Sequence, residues 1–106
     1  MHPDKEVFLA SIQSRTRVIL TFFSKEDRTQ LVRTCAPMDF APGSRTRDPQ
    51  SRFHFWDYDS DEKRHTLSLL PEQVVSITGT EQPFDPAEFV TWSPNWTVPR
   101  DWGRFS

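Results

Sequence analysis

The sequence predicts a mainly β fold: one small domain of five strands, led in by a short helix and followed by an irregular extension. Three observations predict it. The chain has 106 residues, which leaves room for a single core at roughly 100–200 residues per domain. Between Val18 and Thr78 the apolar residues fall in β-branched and aromatic runs, twice folded back across a charged turn. After Glu81 the prolines Pro83, Pro86, Pro94 and Pro99 break any long element. The expected division is therefore residues 1–80 for helix and strands and 81–106 for the extension.

The elements follow in order. Residues 3–15 open with Pro3 and Asp4, a start favoured by proline's fixed φ and by the helix dipole, and Val7, Phe8, Ser11 and Ile12 share one helical face. Val18, Leu20 and Phe22 then alternate with Ile19, Thr21 and Phe23, and Lys25-Glu26-Asp27 turns the chain into Leu31, Val32 and Cys35. Pro37 is expected to end or edge this second strand, because its ring cannot donate to a ladder. Residues 41–51 carry turn formers without apolar period and predict a long loop. Residues 52–58 form the most aromatic strand, Asp59 to Glu62 the turn, and residues 63–70 the returning strand. With a four-residue loop, Tyr58 faces Lys63, Trp56 faces His65 and His54 faces Leu67; a slip of one residue would undo this. Pro71-Glu72-Gln73 reads as one helical turn, and Val74 to Thr78 as a last strand ending at Gly79.

The extension holds Phe84, Phe89, Trp92, Trp96, Trp102 and Phe105 at irregular spacing. Asp85 is placed to cap a short turn that has Pro86 at its first position. Disordered segments are usually poor in aromatics, so the extension is expected to wrap the domain. The other reading is an exposed segment that binds a partner protein.

Composition narrows the function. Thirteen Lys and Arg against fifteen Asp and Glu give a net charge of −2, unlike a domain held mainly by phosphates. Ten of the thirteen cations are Arg, however, and Arg45, Arg47 and Arg52 cluster in the long loop, a candidate anion site beside the plain reading of a solvated, internally paired loop. Next to them, Phe53 to Tyr58 offers aromatic faces that could stack bases or simply fill a core. Cys35 is the only cysteine, so no intrachain disulfide forms, and its apolar run predicts a buried thiol. Asp57, Asp59 and Asp61 imitate a calcium loop, but Glu62 and Ser68 stand where that loop needs Gly and Glu. His2, His54 and His65 lack a third ligand at metal spacing, and three glycines make no phosphate loop. No nucleophile elbow frames a serine. The expectation is a non-catalytic protein without cofactor or metal. No run approaches a membrane span and no basic-then-apolar leader opens the chain, so a cytoplasmic location without membrane contact is expected.

Ser14 to Phe22, Leu31 to Pro37, Arg52 to Phe55, His65 to Leu70 and Val74 to Ile77, taken in that order, resemble the helix end and strands of the WYL-domain family of bacteria. The resemblance spans roughly residues 5–78, with Phe53-His54-Phe55 where the family has its Trp-Tyr-Leu signature. It implies a small five-stranded SH3-like or Sm-like barrel that senses a nucleotide or nucleic-acid ligand. Arg45, Arg47, Arg52, His54 and Trp56 are the ligand-binding candidates, for a nucleotide or single-stranded nucleic acid. The alternative is a protein-interaction module that uses a barrel edge or the Trp-rich extension.

Overall fold

The computed structural model describes residues 2–43, 47–60 and 65–106. Helix α1 spans Lys5–Ser14 and is followed by strands β1 (Thr16–Ser24), β2 (Thr29–Pro42), β3 (Ser51–Asp57), β4 (Thr66–Leu69) and β5 (Val74–Pro83). All pairings are antiparallel, in the order β4-β3-β2-β1-β5. The mainly β class and the five strands are as the sequence predicts. The sheet is not closed into the expected barrel: β4 and β5 stand at opposite edges, with no pairing between them among the described residues.

Local chemistry sets the elements. Arg15 adopts a left-handed φ of 56°, and its N–H closes on the Ser11 and Ile12 carbonyls, so α1 stops there and the chain turns into β1. At the other end, Asp4 accepts a hydrogen bond from the Ile77 N–H (2.9 Å), and His2 donates from Nε2 to the Val74 carbonyl (2.8 Å), which ties the helix start to β5. On β1, Val18, Leu20 and Phe22 point inward and are buried. Phe8 and Ile12 descend from α1 onto the same core, where Phe8 meets Phe53 (4.9 Å) and Phe55 (5.2 Å) edge to face. Val7, grouped with them by spacing, is 37% exposed.

Strand β2 departs from expectation. It does not end at Pro37 but runs 14 residues, because its two halves serve different partners. Residues up to Cys35 pair with β1; from Cys35 onward β2 pairs with β3. Pro37 thus lies where β2 has left β1 and one side of the strand is free, a position that tolerates a missing N–H. A register shift between Pro37 and Asp39 leaves Met38 as the extra residue of a bulge. The loop correspondingly begins after Pro42 rather than at Ala41.

Two further corrections concern β4 and β5. The observed register pairs Trp56 with Thr66 and His54 with Ser68, one residue from the expected facing. The cause lies at the end of β3: the Tyr58 N–H donates to the Thr34 carbonyl, and Asp59 accepts from the Thr34 N–H (2.6 Å), drawing this segment toward β2 and away from a tight hairpin. The slip places Leu67 and Leu69 opposite Phe55 and Phe53, so the apolar sides match. The expected Tyr58–Lys63 facing falls outside the described residues. Strand β5 passes through Gly79 to Pro83, where it meets Thr16.

The extension wraps the domain. Asp85 caps the 3₁₀ turn Pro86–Glu88 by accepting from the Ala87 N–H, as its sequence predicts. Phe84, Phe89 and Trp102 are buried, and the Trp102 indole N–H donates to the Ile12 carbonyl near the end of α1 (2.9 Å). The strongest tie is ionic. Arg100, with a side chain 1% exposed, meets Asp39 at 3.3 Å and also donates to the Met38 and Val98 carbonyls. Its guanidinium lies over the rings of Trp96 (4.2 Å) and Trp102 (4.4 Å).

Replacing Asp39 with Ala leaves Arg100 buried without its carboxylate and is expected to destabilise the protein by ~3–5 kcal/mol. Denaturant unfolding measures the loss. Adding Arg100→Met should restore much of it, and limited proteolysis should cut between Val90 and Trp102 readily in Asp39→Ala but slowly in the wild type.

Candidate ligand-binding groove

The bulge that aims Asp39 also creates a groove. Alternation on β3 puts Arg52, His54 and Trp56 on the side opposite Phe53 and Phe55. His54 stands between Asp39 on β2 and Ser68 on β4. Both of its ring nitrogens are engaged: Nε2 donates to the Ala41 carbonyl (2.8 Å), and Nδ1 lies 2.7 Å from the Ser68 hydroxyl. Thr66 and Ser68 continue this floor along β4, Ala41 and Pro42 form one wall, and the extension supplies the other with Trp92, Asn95, Trp96 and Thr97. The groove holds about 440 Å³ and is open on one side, within the usual range of volume for small-molecule sites.

The polar groups lining the groove divide into committed and free. Asp39 is saturated by the N–H groups of Phe40, Thr97 and Val98 together with Arg100. The Trp96 indole N–H donates to the Phe105 carbonyl. Trp92 is different. It is 43% exposed, it touches Trp96 edge to face at 6.0 Å, and it leaves ring surface open to the groove. Among the described residues no Lys or Arg lines the cavity, so what it presents is aromatic surface and neutral hydrogen-bonding groups.

The residues singled out from sequence are only partly brought together. His54 is in the groove. Arg52 is half-buried beside it, opposite Ala41, and its Nε has no hydrogen-bond partner. Arg47 is exposed in the loop between β2 and β3, and Arg45 lies outside the described residues. Trp56 does not offer a free platform: Phe89 (5.5 Å) and His65 (4.9 Å) stack on it within the protein. Trp92, Asn95 and Ser68 are groove residues that the sequence reading missed.

The remaining reactive groups are engaged elsewhere. Burial, reinforced by the Asp57 and Asp59 carboxylates, pushes the Cys35 thiol well above its ordinary value, so it is not a thiolate near neutral pH. Burial also raises Asp57, against the opposing pull of the Asp59 N–H and of Arg33 at 3.4 Å. No group of three or more His, Cys, Asp or Glu is placed to hold a metal among the described residues. No helix there is long and apolar enough to cross a membrane. No family model, curated protein or solved structure matches the chain.

Tyr58, beyond Trp56 on the same side of the chain, reports on how firmly the extension is seated. Arg17 lies over its ring at 4.0 Å, and its hydroxyl is 3.5 Å from Glu88 of the extension. Burial first, and the Glu88 carboxylate second, push its hydroxyl up to about 12. A raised folded-state value means that this contribution to stability is complete below the unfolded tyrosine value of ~10 and is lost as pH rises toward 12. Tyr58 is the only tyrosine, so tyrosinate absorbance should show one late titration, and Glu88→Gln should move it toward lower pH.

Proposed function

We propose that this protein is a non-catalytic binding module whose groove takes the base of a nucleotide or of single-stranded nucleic acid. The observation that carries the reading is Trp92, a large aromatic left half-open beside Trp96 on a cavity that also presents the polar side chains of Thr66, Ser68 and Asn95. A planar ring stacks on the indole, and Asn95, Thr66 and Ser68 supply hydrogen bonds around it. The phosphate reaches toward Arg52, which lies opposite Ala41 at the groove's edge. His54 serves the floor, while Trp56 serves the packing beneath the extension. The WYL-like reading of the fold belongs to the same proposal, carried by an open sheet in the order β4-β3-β2-β1-β5 rather than by a closed barrel.

Adenosine monophosphate and a short oligodeoxyadenylate are expected to quench tryptophan fluorescence, and added salt should weaken both. Trp92→Ala should weaken binding by ~1–3 kcal/mol per stacked base. Stronger binding of the oligomer than of the mononucleotide assigns the site to single strands. Absence of binding by either at low salt contradicts the proposal.

One observation favours a second reading, a protein-interaction surface. Phe23 and Val32 are 44% and 59% exposed and lie diagonally across the β1–β2 pair on one side of the sheet. If a protein docks there, Phe23→Ser abolishes its capture and leaves nucleotide quenching unchanged; quenching lost in Phe23→Ser argues against separate surfaces.

A further inference from the structure

We infer that His54 decides which hydrogen-bonding edge the groove accepts, favouring a ring that offers an amino group when His54 is neutral and a ring that offers a carbonyl when it is protonated. The inference rests on the groove being the ligand site.

The argument begins at Ala41. Its carbonyl oxygen can only accept, so the His54 Nε2 that meets it at 2.8 Å carries hydrogen. In the neutral ring Nδ1 is then an acceptor, and the contact of 2.7 Å to Ser68 requires the hydroxyl to donate inward. Ser68 is exposed on the groove floor with its single proton engaged, so it shows the ligand only lone pairs. Protonating His54 reverses the chain without moving a heavy atom. Nδ1–H now donates to the Ser68 oxygen, and the released hydroxyl proton turns toward the ligand. The same atom changes from acceptor to donor.

The charged groups that face His54 are few. Across β2, Asp39 faces His54 but is bound to Arg100 of the extension and to three backbone N–H groups. Along β3, Arg52 is the charged neighbour on the same side. From β4 the groove receives Thr66, Leu67 and Ser68, none of which titrates.

Adenosine and inosine monophosphates separate the two edges, because the first carries an amino group where the second carries a carbonyl. Both bear the same phosphate, so its titration and its arginine contacts cancel in the ratio of their dissociation constants. Near pH 8 the adenine nucleotide is expected to bind roughly fivefold tighter, and near pH 5.5 the preference should fall by at least that factor, the scale of one net hydrogen bond. Ser68→Ala should bind both alike at both pH values. Nitrogen NMR of the imidazoles gives a readout that needs no variant: His54 should be the Nε2–H form at the higher pH. An Nδ1–H form, or binding of both nucleotides with a ratio indifferent to pH, overturns this inference and leaves the groove proposal standing. Failure of both nucleotides to bind overturns the two together.

Discussion

The pairing of Asp39 with Arg100 is the constraint on which the upper side of the sheet depends. A guanidinium is costly to bury, and this one is tolerated because every direction around it is answered: a carboxylate, two carbonyls and the faces of two indoles. Burial still pulls Arg100 down to about 10, which leaves it charged at neutral pH and leaves the pair intact. Buried ion pairs add little net stability compared with apolar packing, but they penalise alternatives heavily. Here the alternative penalised is any path of the extension that fails to bring Arg100 to Asp39. The pair acts chiefly as a register mark, fixing residues 92–102 against one point of β2.

That point is defined by the bulge. Without the unpaired Met38, alternation would carry residue 39 to the core side with Pro37, and the carboxylate would face Phe53 and Phe55 rather than Arg100. The bulge also falls where β2 has parted from β1, so a free strand side and an aimed carboxylate occur together. The extension covers that side through the Thr97 and Val98 N–H groups and Arg100. A chain with one small core, bounded on one side by α1, obtains in this way a second layer of aromatic packing in which Phe89, Trp96 and Trp102 continue outward from Trp56.

Much of the fold is legible in the sequence because it follows from local period. Val18, Leu20 and Phe22 announce β1, Phe53 and Phe55 announce the core side of β3, and Asp85-Pro86 announces its own turn. What fails to be legible has long-range causes. Pro37 looks like a terminator until one knows that β2 exchanges partners at Cys35. The β3–β4 register depends on Thr34, distant in sequence, capturing Tyr58 and Asp59. The site divides in the same way. His54 is found from its alternating strand, and Ser68 becomes visible once the register is known. Trp92 and Asn95 belong to a segment without period, so no pattern in the chain assigns them to a groove. Trp56 shows the converse error: its position marks it as a stacking surface, and the extension has already taken it.

The groove consequently belongs to neither part of the chain alone. Its floor is made by β3 and β4, and its aromatic wall comes from the extension, which Arg100 registers against Asp39. Asp39 belongs to both structures, since it lines the cavity and closes the ion pair. Its saturation matters for the cavity: a free carboxylate at that place would pair with His54, whereas the occupied one leaves His54 to its two neutral partners, Ala41 and Ser68. The interaction that latches the fold therefore also keeps the cavity electrically quiet. The open face of Trp92 and the exposed hydroxyl of Ser68 are then what the cavity leaves for the proposed ligand.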